Sequence, residues 1–220
     1  MNVLSALGEE DRRRLLASAR RRRFARREVV WHEGDLGDTL HLIDAGRVAV
    51  RVSSPAGDVV TFSVLGRGAS FGELAVLDPH APRTATVIAL EPTATWVVDR
   101  EPLLQLRRQH PRVEEFIQQT LTAYVQRLST LLLEALYLPV DKRVLRRLAE
   151  LSVEYGRERG ATRDEPIDIR LTQDDIAGLA GTSRATVNRV LGSLVTTGIA
   201  DVGRGRVTIN DAAGLENAAR

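Results

Sequence analysis

From Glu28 to about Val98 the apolar residues come in short β-branched runs cut by glycine turns, as in "EVVWHEGDLGDTLHLIDAGRVAVRVSSPAGDVVTFSVLGRGASFGELAVL". "HLIDAGRVAVRV" and "VVTFSVL" alternate with period two, the repeat of a strand with one buried face. "GDLGD", "DAG", "SPAGD" and "GRG" supply the turn residues that close such strands. Strands this short with turns this frequent predict a β-roll or barrel. The preceding "SALGEEDRRRLLASARRRRFARRE" reads as a helix opened by acids and followed by an arginine cluster, a solvated helical face in preference to a DNA or partner contact.

The period changes after Pro111, a residue suited to the first turn of a helix because its missing N–H costs nothing there. Ile117, Leu121, Tyr124, Leu128, Leu131, Ala135 and Leu138 alternate four- and three-residue spacings, an a/d seam flanked by Gln126, Arg127 and Glu134. A narrow seam seeks a second helix, so a homodimer is expected, the alternative being a helix packed on its own β-domain. Pro139 stops the helix and makes Leu138 to Asp141 the natural hinge. Beyond it, "DKRVLRRLAELSVEYGRERG" predicts a helix and "TRDEPIDIRL" a loop and short strand. "LTQDDIAGLAGTSRATVNRVLGSLVTTGIADVGRGRVTIND" then reads helix, turn, helix, hairpin. Thr172 and Asp175 form a capping box ahead of Ile176, Leu179 and Ala180, Gly181 makes the turn, and Ser183 or Thr182 caps the second helix. Val187, Val190, Leu191 and Leu194 face inward at helical spacing; Arg184, Ala185, Asn188 and Arg189 face out. The expected fold is α+β: a β-roll with its leading helix (1–110), a dimerisation helix (111–138) and a winged helix-turn-helix (139–220).

Composition adds limits. At 220 residues the chain suits two compact domains, and with aromatics at 4% its cores must be aliphatic. A net charge of +2 is too small for bulk charge to argue nucleic-acid binding. With no cysteine there is no disulfide, thiolate metal site or thiol nucleophile. "LLLEALYLPV", the most apolar run, is too short to span a bilayer, and the N-terminus lacks a signal-type apolar segment, so a soluble cytoplasmic protein is expected. His32, His41, His80 and His110 are scattered and read as surface or turn residues; no base, nucleophile or metal cluster emerges, and neither an enzyme nor a metal is expected.

Two places carry candidate chemistry. A helix-turn-helix puts the outward residues of its second helix against base edges in the major groove. Arg184 and Arg189 are the base-reading candidates, because a planar guanidinium bonds both acceptors of a guanine edge. Ser183 and Thr186, with the wing residues Arg204 and Arg206, suit phosphates. The other place is "FGELAVLDPHAPRTATV", which sets Glu73 near Arg83 and Thr84. The pair would serve either as an internal ion pair or as the receptor of a ligand bearing an anion and a hydroxyl, which a cyclic nucleotide has. Arg83 and Thr84 would then take the phosphate together with backbone N–H groups around Gly72, Leu74 and Ala75, and Glu73 would accept from the ribose 2′-hydroxyl.

The order of β-roll, this cassette, long helix and "LTQDDIAGLAGTSRATVNRVL" resembles the CRP/FNR family of bacterial transcription regulators over nearly the whole chain. The resemblance implies cyclic AMP as allosteric ligand, a double-stranded operator, a homodimer and RNA polymerase as partners. In relatives that bind cyclic AMP, residues matching Glu73, Arg83 and Thr84 hold ribose and phosphate, and two polar residues on the dimer helix meet the adenine. Those two match Leu128 and Ser129 here, with Thr130 next to them. Leu128 keeps open cyclic GMP, a cyclic dinucleotide or no ligand at all. Relatives reading a TGTGA-type half-site carry Arg-Glu-Thr-Val followed two residues on by Arg, whereas Ala185 stands here in place of the glutamate. Ala185 cannot accept from cytosine and suits a thymine methyl. A nucleotide-binding module without DNA activity is the alternative from another class.

Overall fold

The computed structural model describes residues 9–53, 59–78, 80–160 and 165–220. The predicted "SPAGD" turn, the first eight residues and the start of the "TRDEPIDIRL" loop lie outside them. Among the described residues no helix is long and apolar enough to cross a membrane. The chain forms two compact units; the division falls after Leu128 within one long helix, and residues 59–62 group with the second unit although the strand they open continues into the first.

The first unit begins with α1 (Glu9–Ala17) and continues through β1 (Arg20–Phe24), β2 (Val29–Trp31), β3 (Thr39–Ala45), β4 (Val48–Ser53), β5 (Val59–Leu65) and β6 (Ser70–Phe71). A short α2 (Glu73–Leu77) interrupts the strands before β7 (Thr86–Ala89) and β8 (Thr93–Asp99), and α3 (Arg100–Gln109) leads into α4 (Pro111–Tyr137). The strands form two sheets, ordered β1-β8-β3-β6 and β2-β7-β4-β5. Strand β3 is buried at every position from Thr39 to Ile43, where alternation predicts one wet face. Both its faces are covered. Leu40 and Leu42 join Leu15, Val76, Val98, Leu103, Val113 and Ile117 in a core built with the helices. Ile43 joins Val48, Phe71 and Val87 in a second core.

The arginine cluster is not a helical face. Arg20 to Arg23 form β1, an edge strand whose four arginines are exposed. Arg20 pairs with Asp99 at 3.2 Å and Arg21 with Asp44 at 2.6 Å. Charge on an edge strand blocks pairing with another chain.

Helix α4 spends part of the predicted seam inside its own unit. Ile117 is buried in the helix-side core and Leu121 packs against it, so the first part of the seam is used within its own unit. Further along, the exposed apolar residues are Val125, Leu128, Leu132, Leu133, Leu136 and Tyr137, a stripe displaced round the helix. Glu134, read as a flanking surface residue, is 7% exposed and accepts from Arg147 and, at 3.0 Å, from Arg146. These arginines lie on α5 (Val140–Arg159). A carboxylate buried on α4 therefore ties its last turns to α5, a contact that spacing along α4 does not reveal because the partner arginines are on another helix.

The second unit adds β9 (Ile167–Ile169), α6 (Gln173–Ala180), α7 (Arg184–Thr196), β10 (Ala200–Gly203), β11 (Arg206–Ile209) and α8 (Ala212–Ala219). The strands pair β10-β11-β9. Its buried residues include Val144 and Leu148 of α5, Ile176 of α6, Val187 and Leu191 of α7, and Ile169, Val207, Ile209 and Leu215.

His41 also corrects the sequence reading: it is 1% exposed on β3, its Nδ1 3.1 Å from the Thr95 hydroxyl and its ring among Phe24, Trp31 and Phe71. Burial, then the positive charges of Arg83, Arg22 and Arg20, lower its pKa to about 3. The folded protein holds His41 neutral while the unfolded chain protonates it below about pH 6.5. Stability from this group is therefore full above that pH and is lost as pH falls toward 3, by about 1.4 kcal/mol per pH unit. Urea unfolding between pH 6.5 and pH 5 is expected to show His41→Phe with a slope shallower by one proton than the parent; equal slopes contradict the buried neutral imidazole.

Candidate functional site

Gly72 sits at φ 91°, a left-handed conformation that admits glycine easily, and turns the chain from β6 into α2. That turn brings the Gly72 carbonyl to Arg83. Arg83 is 4% exposed; its Nη1 donates to Gly72 O at 3.1 Å and its Nη2 to the Thr39 hydroxyl at 2.8 Å. Its Cζ lies 3.8 Å from the Trp31 ring centroid, a cation–π contact inside the domain. The Trp31 ring is itself fixed by donation from Nε1 to Ala85 O at 3.1 Å. The Arg83 main chain is held from both sides, its N–H donating to Asp35 O and its carbonyl accepting from Gly34, each at 2.8 Å. Gly37 is required for room, not for its φ: a Cβ there would stand 2.3 Å from Arg83 Nε.

The donors of Arg83 thus go to Gly72 and Thr39, not to Glu73, and the simple ion-pair alternative is not what the geometry contains. Arg83 Nε is buried with no hydrogen-bond partner among the described residues, an unusual state for a guanidinium. Burial lowers the Arg83 pKa, and the carboxylates of Asp38, Glu73 and Asp35 oppose the shift. Burial pushes the Glu73 carboxyl up, against hydrogen bonds from the N–H groups of Glu73 and Gly72 and the charge of Arg83. Leu74 is half-buried, Ala75 buried and Thr84 exposed. Glu73 also lines a small pocket with Leu40, Ser70, Leu103, Ile117 and Thr120.

Sequence reasoning missed several of these residues. Trp31 and Thr39 sit in strands where nothing local marks them, and Arg100, at the start of α3, donates to Val76 O at 3.1 Å, to Gly37 O at 2.8 Å and to Ala75 O. Arg100 therefore pins the far end of α2. Tyr124 is a further surprise: burial and the neighbouring Glu73 charge raise its phenol. Its seam spacing gave no sign of that nearby charge. Leu128, Ser129 and Thr130 are exposed on α4.

In the second unit Thr172 accepts from Asp175 N at 3.1 Å and donates its own N–H to Asp175 Oδ2 at 3.0 Å, a capping box that starts α6. Gly181 turns the chain at φ 58°, and Ser183 Oγ accepts from Thr186 N at 3.3 Å to start α7. Val187, Val190, Leu191 and Leu194 are buried, which leaves Arg184, Ala185, Asn188 and Arg189 exposed and Thr186 half-buried. Arg204 and Arg206 are exposed on the hairpin. Arg184 Nε donates to Gln173 Oε1 at 3.2 Å. Arg189 is engaged by Asp141 through two hydrogen bonds.

Comparison with known proteins bears on both units. The family of cyclic nucleotide-binding domains matches residues 21–110, and the Crp-like helix-turn-helix domain matches residues 142–218. The chain is 30% identical to a CRP-like cAMP-activated global transcriptional regulator of Mycobacterium tuberculosis, over 90% of this chain and 87% of that protein. It is 31% identical to the cyclic AMP receptor protein of Thermus thermophilus, over 99% of this chain and 96% of that protein. The solved structure of the c-di-GMP-responsive global regulator CLP of Xanthomonas campestris shares the fold, with a TM-score of 0.77 at 23% identity, covering 92% of this chain and 99% of that one.

Gly37→Ala tests the packing round the buried guanidinium. The added methyl has to displace Arg83, whose main chain and both Nη groups are fixed, and overpacking of this kind costs roughly 1–3 kcal/mol. Chemical denaturation should register that loss; a variant as stable as the parent means that Arg83 does not occupy this place.

Proposed function

We propose, from the premise that the chain belongs to the CRP/FNR family of bacterial transcription regulators, that it is a homodimer whose first unit takes up cyclic AMP and whose helix-turn-helix pair binds a pseudo-palindromic operator. The observation that carries the nucleotide half is the buried guanidinium of Arg83 beside a left-handed glycine, with its Nε unpaired among the described residues. A cyclic phosphate arriving there gains a charge-assisted donor, the Thr84 hydroxyl and the N–H groups of the Gly72–Ala75 turn, while Glu73 takes the ribose 2′-hydroxyl. Ser129 and Thr130 are assigned to the base, as the positions on α4 nearest the family's adenine contacts. The relatives named for cyclic AMP support that nucleotide. A second reading keeps the phosphate site and changes the base, and Leu128, where relatives carry a polar residue, favours it. A cyclic dinucleotide or cyclic GMP would then be the ligand.

In the DNA half, Arg184 and Arg189 read guanine edges, Ala185 meets a thymine methyl, and Asn188 lies on the same exposed face. Ser183, Thr186, Arg204 and Arg206 hold phosphates. The exposed stripe Val125, Leu128, Leu132 and Leu136 supports pairing with a second copy, since apolar residues at three- and four-residue spacing bury well against an equivalent helix. The homologues are regulators, not enzymes, and the chain is assigned to the cytoplasm with RNA polymerase as the further partner.

Calorimetric titration with cyclic AMP, cyclic GMP and cyclic di-GMP tests the first unit. One of them is expected to bind the parent, and Arg83→Ala to weaken it by roughly 2–5 kcal/mol with the fold retained. Unchanged affinity in that variant removes the phosphate assignment.

The DNA half is tested by separating base readers from phosphate holders. Arg184→Ala should cost about 1–3 kcal/mol on the best operator and much less on random DNA. Arg206→Ala should weaken both alike and reduce the salt dependence by about one counterion per subunit. Equal losses on specific and random DNA for Arg184→Ala contradict base readout.

A further inference from the structure

Arg189 is gripped from an unexpected direction. Its Nη1 and Nη2 donate to the two oxygens of the Asp141 carboxylate at 2.8 and 2.5 Å. Asp141 lies in the first turn of α5, where the helix dipole favours a carboxylate, and α5 is anchored by the buried Val144 and Leu148. The mount is therefore rigid, while the pair itself is open to solvent, with side chains 66% and 43% exposed for Arg189 and Asp141. An exposed ion pair does little for stability. Its geometry is more informative. Asp141 takes the end of the guanidinium, one N–H from each Nη. Among the described residues the Nε–H and the second N–H of the adjacent Nη remain as a parallel fork, the donor pattern that matches the two acceptors of a guanine edge. Arg184, by comparison, has a single bond to Gln173 and a 3.6 Å approach to Asp174.

We propose that Asp141 is a specificity-determining positioning residue for DNA recognition: it fixes the plane of Arg189 so that the free fork addresses a base edge and cannot swing to a phosphate. Two consequences follow from that geometry. On the right sequence the arginine arrives already oriented, and little rotamer freedom is lost on binding. On random DNA the grip withholds a cation that would otherwise neutralise a phosphate, so nonspecific affinity stays low. Asp141 never touches a base, and its effect runs entirely through Arg189. The inference rests on the proposed base-reading role of Arg189.

The test uses the full-length protein and two duplexes, the one that the parent protein enriches from a random-sequence pool and a scrambled version of it, each measured with and without saturating cyclic AMP. Asp141→Asn is expected to lower the ratio of specific to scrambled affinity by roughly three- to tenfold. Binding to the scrambled duplex should become steeper in salt by about one counterion per subunit. Asp141→Glu keeps the charge but not the reach, and should lower the ratio as well, an effect that simple removal of negative charge cannot produce. In an Arg189→Gln background, Asp141→Asn should leave the ratio unchanged. If Arg189→Gln lowers the ratio and Asp141→Asn shifts both duplexes equally, the positioning role is overturned. If Arg189→Gln itself leaves the ratio intact, Arg189 does not read bases, and the base-reading assignment fails with the inference.

Discussion

A guanidinium inside a β-domain is the constraint around which the first unit is arranged. Arg83 is almost fully buried, and such a charge persists only where acceptors, a π face and carboxylates surround it. The Gly72 carbonyl, the Thr39 hydroxyl and the Trp31 ring supply the first two, and Asp38, Glu73 and Asp35 the third. Each needs backbone in an exact place. Gly72 must be left-handed, Gly37 must lack a Cβ, and α2 must be held at its far end by Arg100. The sheets and the helix-side core keep these pieces in register, so the fold's ordinary packing stabilises one locally costly charge. Under the proposed function that charge waits for a phosphate.

The second unit is organised by caps and a buried face. Thr172 and Ser183 define where α6 and α7 begin, and four buried aliphatic residues fix which side of α7 is wet. Electrostatics then refine the wet side. Asp141 on α5 orients one arginine of that surface, and a few residues earlier Glu134 locks the end of α4 to Arg146 and Arg147. Both contacts belong to the segment round Pro139, so under the proposed function this junction shapes the DNA-facing surface as well as continuing from the long helix.

Much of this was legible in the sequence where the signal is local. The capping box, the Gly181 turn and the inward-facing residues of α7 all follow from spacing over a few residues, and the Gly72 turn follows from its motif. Legibility failed where the deciding partner is distant. His41 and β3 read as half-exposed because alternation cannot show that both faces are covered. The arginine cluster joined a strand because β8 lies beside it, some seventy residues on. Glu134 looked like a surface charge until α5 brought two arginines to it, and Trp31 carried no local mark of its contact with Arg83. The site's residue types could be read, but their shared geometry could not.

Under the proposed function, occupancy of the Arg83 site changes the grip of α7 on DNA, and such coupling is a reciprocal free energy. The direct measurement is fluorescence anisotropy of a labelled operator duplex titrated with protein, with and without the cyclic nucleotide that binds, paired with calorimetry of that nucleotide with and without the duplex. The nucleotide is expected to shift DNA affinity by a factor of roughly 5 to 150, and the duplex to shift nucleotide affinity by the same factor in the same direction. Tight binding of both ligands with no mutual effect would contradict it.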